Sequence, residues 1–319
     1  MSNNKVLQFS NTLPAIHTEK KDHYLSVATA QNTRKAYQSA IRHYQGWGGL
    51  LPATPDMLIN YLVHYADTLN PRTLTLRLTA ISRWHEYQEF DNPANDPGVR
   101  KTLKGIHRTH GRPKRKARAL SLNEVAAITN KLQQETDSLK SVRDRALLLI
   151  GFFGAFRSEE LATIQVQHVA WDDDGITINL PRSKTDQEGK GISKSIPWSG
   201  HSICPATALK RWLQIDNDGA VFRAINRWGH VSNQPLKPDS ITDIVRTLVK
   251  NTGYNFYKQI SSHSLRRGFA TSAARNNIDF QLIKKQGKWK NDATVHEYID
   301  EGQRYTENAA GLMLGKLKD

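Results

Sequence analysis

A chain of 319 residues with 38% hydrophobic content is long enough for two packed domains, and its charged residues, 24% of the total, are spread along it, which excludes wholesale disorder. Lys and Arg total 45 against 30 for Asp and Glu, a net charge of +15, so the favoured partner is a polyanion, above all nucleic acid. The single cysteine, Cys204, excludes an intramolecular disulfide and a cysteine-based zinc cluster, none of the 12 His residues has HExxH spacing, and no run of about 18 apolar residues is present to span a membrane.

Residues 1–22 are polar and aperiodic, which predicts a flexible N-terminal arm. No signal-peptide apolar segment lies in the first thirty residues, so a cytoplasmic protein is expected. Helices follow in series. In "TAQNTRKAYQSAIRHYQGW", Tyr37, Ala40, Ile41, Tyr44 and Trp47 share one face, with Arg34, Lys35 and Arg42 mostly off it. The next helix has Thr54 as N-cap, Pro55 at its first position and the stripe Leu58, Tyr61, Leu62, Tyr65. Asn70 and Pro71 repeat the device. There Leu74, Leu78, Ile81 and His85 line the inner face, and Arg72, Arg77 and Arg83 are free to point elsewhere. "DPGVRKTLKGIHRTHG" supplies a fourth helix. Residues 23–110 therefore read as a basic, all-helical module.

The segment 111–120, "GRPKRKARAL", holds five Lys or Arg and no acid, Lys114, Arg115 and Lys116 among them. It is expected to be an extended basic linker that lies along phosphates. A second module, 121–319, opens with a capping box of Ser121 and Glu124. A long apolar helix follows, with a break near 151–155. Ile176 and Ile178, then Ile192 and Ile196, mark two strands around a polar tip. "CPATALKRWLQI", "SITDIVRTLVKNTG" and the tail "TENAAGLMLGKLKD" read as helices. The module is mostly α with a small antiparallel β-sheet.

Four separated stretches carry chemistry. "FRSEEL" holds Arg157 and Glu160, "RSKTD" places Lys184 at the hairpin tip, "HSLRRG" sets His263 and Arg266 one helical turn apart, and "GKWKNDATVHEY" puts Trp289 nine residues before Tyr298. Transfer of a phosphodiester builds negative charge on the non-bridging oxygens. Two guanidiniums hold that charge bidentately at any working pH, a role open to Arg157 and Arg266. A Tyr hydroxyl can attack phosphorus and form a covalent intermediate. Its ordinary pKa is about 10, so cations or a base such as His263 must assist. A hairpin Lys can protonate the leaving 5′ oxygen, and an indole N–H can bond a phosphate oxygen. Glu160, three residues after Arg157, can orient its neighbours.

Taken singly, these residues have plainer explanations. Arg157 with Glu160 is an ordinary surface pair worth about 0.2–0.5 kcal/mol. Lys184 sits among Arg182, Lys190 and Lys194 as a solvated hairpin charge, and Lys190 replaces it if the turn is shifted. His263 alone caps a helix, Trp289 alone is core, and Tyr305 rivals Tyr298. Arg267, beside Arg266, contacts phosphate or caps the site. Their joint order argues otherwise.

That ordered set resembles the tyrosine recombinase (phage integrase) family, whose pattern runs Arg, Lys, His-x-x-Arg, His or Trp, then Tyr. The resemblance covers roughly residues 25–319 and implies Arg157, Lys184, His263, Arg266, Trp289 and Tyr298 as catalytic residues, with Glu160 in support. Trp in place of His is a known variant. The resemblance also implies a helical core-binding (SAM-like) domain and a mixed α/β catalytic domain that clamp duplex DNA. The implied reaction is site-specific recombination through a 3′-phosphotyrosine and a Holliday junction, without metal, ATP or other cofactor. The implied partners are inverted-repeat DNA sites, a dimer on each site and a homotetramer in synapsis, on the nucleoid and away from membranes. The tail helix would dock into a neighbouring protomer, and the extra arm-site domain of some members is expected to be absent. Two alternatives stay open: a type IB topoisomerase-like enzyme, and a non-catalytic DNA-binding regulator. Arg34, Lys35, Arg42, Arg72, Arg77, Arg83, Lys114, Arg115, Lys116 and Arg267 are the expected DNA contacts.

Overall fold

The computed structural model describes residues 29–113, 116–134, 138–181, 191–305 and 308–316. The expected arm, Lys114, Arg115 and the hairpin cations Arg182, Lys184 and Lys190 lie outside the described residues. The chain divides into two compact units, Met1–Arg115 and Lys116–Asp319, and that division falls inside the basic segment 111–120.

Four helices make up the described part of the first unit: α1 (Gln31–Gly46), α2 (Pro55–His64), α3 (Pro71–Tyr87) and α4 (Pro97–His110). Three of them start the same way. The Thr54 hydroxyl accepts from the Met57 N–H, the Asn70 side chain from Arg72, and the Asp96 carboxylate from Gly98 and Val99, each with Pro next in sequence. These side chains satisfy N–H groups that the first helical turn leaves unpaired, and Pro pre-sets φ where no N–H is needed. Tyr44, Leu58, Tyr61, Leu62, Leu74, Leu78, Ile81, Val99 and Ile106 then pack as one core. His85 is buried with both ring nitrogens used: Nδ1 donates to the Ile81 carbonyl (2.8 Å) and Nε2 accepts from the Ala53 N–H (2.9 Å).

The second unit runs α5 (Leu122–Gln134), α6 (Leu139–Phe153), α7 (Ser158–Thr163), β1 (Val169–Trp171), β2 (Gly175–Leu180), β3 (Ile192–Pro197), α8 (Pro205–Ile215), β4 (Arg223–Ile225), β5 (Val231–Pro235), α9 (Pro238–Asn251), α10 (Ser264–Arg275), α11 (Phe280–Gly287), α12 (Asp292–Gly302) and α13 (Ala309–Leu314). The capping box that opens α5 is formed: the Ser121 N–H donates to Glu124 (2.8 Å) and the Glu124 N–H to the Ser121 hydroxyl (3.3 Å). Strands β1, β2 and β3 form an antiparallel sheet in that order, with Ile176 opposite Ile196 and Ile178 opposite Lys194. The fold is thus mostly α with small antiparallel sheets. β1 and the β4–β5 ribbon are not anticipated by the sequence, because three to five residues are too few to display clearly the two-residue alternation of a strand.

α6 is buried on nearly every face and forms the centre of the main core. A smaller cluster of Ala155, Ala270, Ala274, Ile283, Trp289 and Val295 joins α10, α11 and α12. Small residues permit this approach. A Cβ on Gly302 would come 2.5 Å from the Thr271 carbonyl, so α12 closes onto α10 only with glycine there. Among the described residues no helix is long and apolar enough to cross a membrane.

Candidate active site

The site begins where α6 stops. After Phe153 the chain turns through Gly154, Ala155 and Phe156, with Ala155 at φ +46°, a left-handed conformation costly for a residue with a Cβ. The turn delivers Arg157 in extended conformation as the N-cap of α7. Glu160 reaches back to it twice, accepting from the Arg157 backbone N–H at 3.0 Å and from Nη1 at 2.6 Å. Glu160 is only 4% exposed and the Arg157 side chain 19%, so this pair is partly buried and not the surface contact its spacing alone suggests.

Arg266 enters from the first turn of α10 and is 2% exposed. Its Nη1 donates to the Ala155 carbonyl (2.6 Å), while its Nη2 finds no hydrogen-bond partner among the described residues. The guanidinium lies over the Trp289 ring. Trp289 follows α11 and meets Tyr298 of α12 with ring centroids 5.7 Å apart. Gly287 makes room for the indole, since a Cβ there would come 1.7 Å from a ring carbon. Tyr298 is half-buried and His263 is exposed at the N-cap of α10. The rival Tyr305 is 83% exposed and takes no part in the cluster.

Charge in this pocket is strongly coupled. Burial pushes the Glu160 carboxyl up, but Lys194, the Arg157 N–H, and the Arg157 and Arg266 cations outweigh it and hold the carboxyl below its ordinary range. Burial and then the Arg157 cation pull Arg266 down to about 10, against Glu160 and Tyr298, so it is still charged at neutral pH. Two guanidiniums beside one buried carboxylate, the Arg157 one bonded to it and the Arg266 one carrying a buried N–H without a partner among the described residues, are suited to a tetrahedral oxyanion.

Arg267 turns the other way. It pairs with Glu301 and lies with its guanidinium 5.9 Å from the Tyr298 ring centre. Lys116 pairs with Glu297 at 2.7 Å, so two of the acids near Tyr298 on α12, Glu297 and Glu301, each hold a cation expected at DNA. In the first unit, Arg34, Arg42 and Arg83 line a groove of about 570 Å³ with Tyr37, Trp84 and Tyr87. Lys35 and Arg72 are exposed. Arg77 departs from the expectation that it points away from the core. Its Nη1 donates to the Tyr61 hydroxyl (3.3 Å) and to the His43 ring, because the α1–α2–α3 packing brings those acceptors to it. Burial and then the Arg77 cation depress the His43 pKa.

One residue the sequence reading passes over is Lys194, treated there as a hairpin charge. It is 1% exposed and faces Glu160, its Nζ 3.9 Å from the carboxylate. The signal was available: Ile192, Lys194 and Ile196 occupy alternate positions of one strand and so share its inner face.

The phage integrase family model matches residues 118–304. The chain is 35% identical to an integrase/recombinase xerD homolog of Selenomonas ruminantium, over 92% of this chain and 88% of that protein. It is 23% identical to recombinase cre of Escherichia phage P1, over 92% and 89% respectively. Among solved structures, a lambda integrase tetramer bound to a Holliday junction superposes with TM-score 0.61 at 16% identity, covering 92% of this chain and 79% of that one. XerH recombinase in a post-cleavage complex with a palindromic difH substrate gives 0.58 at 19% identity, over 82% and 72%. These two likenesses concern the fold.

Proposed function

The chain belongs to the phage integrase family of tyrosine recombinases, and from that premise we propose that it is a site-specific DNA recombinase working through a covalent 3′-phosphotyrosine intermediate and a Holliday junction. The observation that carries the assignment of residues is the Arg157–Glu160–Arg266 cluster, with an unpartnered buried N–H on Arg266 and the Trp289 ring between it and Tyr298.

Arg157 and Arg266 hold the non-bridging oxygens of the scissile phosphate, and Glu160 fixes the first of them. The Tyr298 phenol oxygen attacks phosphorus; its bond to phosphorus forms as the bond to the 5′ oxygen breaks. The phenolic proton leaves with help from His263. The 5′ oxygen takes up a proton from Lys184, which lies outside the described residues. Trp289 supports Arg266 from below and donates its indole N–H to the phosphate. In the second step the 5′ hydroxyl of a partner strand attacks the phosphotyrosine, restores a phosphodiester and frees Tyr298. The phosphotyrosine retains the bond energy, so the exchange is close to neutral.

In this proposal residues 23–110 form the core-binding DNA-binding domain, 111–120 the linker and 121–319 the catalytic domain; the division at 115/116 supports it. The other DNA contacts are Arg34, Lys35, Arg42, Arg72, Arg83, Lys116, Arg267 and the linker cations Lys114 and Arg115; Arg77, first expected among them, is held instead by Tyr61 and His43, and Lys116 and Arg267 also pair with protein carboxylates. The protein acts in the cytoplasm at the nucleoid, as a dimer on each inverted-repeat site and a tetramer in synapsis. Leu312, Met313 and Leu314 of α13, all well exposed, support docking of the tail on a neighbouring protomer.

The test is covalent capture from a pool of randomised nicked duplexes. The wild-type protein should capture duplexes that share an inverted repeat of about a dozen base pairs per arm. Tyr298→Phe should bind the same duplexes and form no adduct. Adduct retained by Tyr298→Phe sinks the nucleophile assignment, and capture without sequence preference favours a topoisomerase.

A further inference from the structure

The polar tip between β2 and β3 draws attention to hairpin lysines, but among the described residues the lysine that packs into the site is on the strand. Alternation along β3 turns Lys194 inward with Ile196, against the end of α6. Burying an ammonium is costly unless it is fully paired, and an apolar side chain of similar size would stabilise the fold at least as well. The partners of Lys194 are informative. Its Nζ donates to the carbonyls of Gly154 (2.7 Å) and Ala155 (3.0 Å), lies 3.9 Å from the Glu160 carboxylate and sits 4.3 Å from the centre of the Phe156 ring. Every one of these belongs to the turn that sets Arg157 or to the residue that pairs with it. The Ala155 carbonyl is also the acceptor for Arg266 Nη1. One carbonyl, on a residue held at positive φ, thus carries both Lys194 and Arg266.

We propose that Lys194 is a positioning residue for strand transfer: it holds the Gly154–Ala155 turn so that Arg157 and Arg266 converge on one phosphate. The proposal rests on the assignment of those two arginines to the scissile phosphate. Lys194 touches neither substrate nor nucleophile and acts through the turn.

The charges facing it are Glu160 and Arg157 from α7, Arg266 from α10 and Lys288 after α11. Burial first, then Arg266, Arg157 and Lys288, outweigh Glu160 and bring its pKa down to about 7. Its charge is therefore present below neutrality and lost as pH rises. A neutral amine still has two N–H donors for the two carbonyls, but those bonds lose their charge assistance and the attraction to Glu160 is lost, so its hold on the turn weakens.

The test uses a nicked duplex recovered by capture with the full-length protein. Adduct formation is followed in single turnover from pH 6 to pH 9, with duplex affinity measured alongside. Lys194→Met should bind within about threefold of wild type at moderate salt, since phosphate contacts elsewhere supply the affinity. Its cleavage rate should fall at least tenfold at pH 6, and the deficit should shrink towards pH 9. A deficit equal at every pH, or a rate within threefold of wild type, overturns the proposal. If Lys194→Met does not fold, the ε-carbon NMR titration of Lys194 in the Tyr298→Phe protein decides. It should move to higher pH when the duplex binds, because a phosphate beside the arginines favours the ammonium; no movement overturns the proposal. Absence of adduct from the wild-type protein would instead sink the functional assignment itself.

Discussion

The guanidinium carbon of Arg266 lies 4.2 Å from the centre of the Trp289 ring. The same ring meets Tyr298, so one buried indole sets the separation between a phosphate-holding cation and the nucleophile. A desolvated contact of this kind is worth about 2 kcal/mol, and the indole is also the largest buried side chain of the small cluster between α10, α11 and α12.

Trp289→Ala should therefore lower unfolding free energy by about 3–5 kcal/mol, measured in urea, through lost burial and the remaining cavity. Trp289→Phe keeps a ring beneath Arg266 and should lose less than half as much. If the ring positions Tyr298, adduct formation should follow the same order, with Trp289→Phe well above Trp289→Ala. Equal rates for the two variants would show that the ring has no positioning role.

Among the described residues Glu160 is the carboxylate that faces Arg157, Lys194 and Arg266 in this cluster. Its pKa in the folded protein is below the unfolded value, so its stabilisation is fully present above the unfolded carboxylate pKa of about 4.3 and is lost as pH falls through the folded value. Glu160→Gln should be destabilised by about 3–5 kcal/mol at pH 7, because it leaves buried cations without their counter-ion. The difference from wild type should shrink on acidification below about pH 4. Urea midpoints at a series of pH values check this, and a pH-independent difference would contradict it.

The groove lined by Arg34, Arg42 and Arg83 makes a prediction that separates those residues from Arg77. Each neutralised phosphate contributes about −0.9 to the slope of log K against log salt. Replacing all three with Ala should flatten that slope by about 2.7 in total, measured by anisotropy on the captured duplex. Arg77→Ala should instead reduce stability with little change in slope, because its guanidinium is bonded to Tyr61 and His43 inside the first unit. An unchanged slope in the triple variant would remove this groove from the DNA interface.

Much of the fold was legible locally. The Thr54, Asn70 and Ser121 caps, the Pro residues after the first two, and the periodic stripe of α1 are relations between residues within a few positions of each other. The helix they specify satisfies most of its own backbone. The ordered spacing of Arg157, His263, Arg266, Trp289 and Tyr298 was legible for the same reason: each stretch carries its own short motif, and the stretches come in family order. β1 and the β4–β5 ribbon were not, because strands of three to five residues owe their existence to a partner and not to their own pattern.

What the sequence by itself determined is which residue types the chain offers to a phosphate, and on which elements. Which of its cations are held by other side chains was decided by tertiary structure. Arg266 and Arg267 are neighbours on one helix, yet packing sends the first to Ala155 and Trp289 and the second to Glu301. Lys194 resembles any hairpin lysine until β3 lies against the end of α6, some forty residues earlier in the chain. The physical reason is that the free energy of a charge depends on its solvation and on its neighbours in space, and both are assembled from segments far apart in sequence.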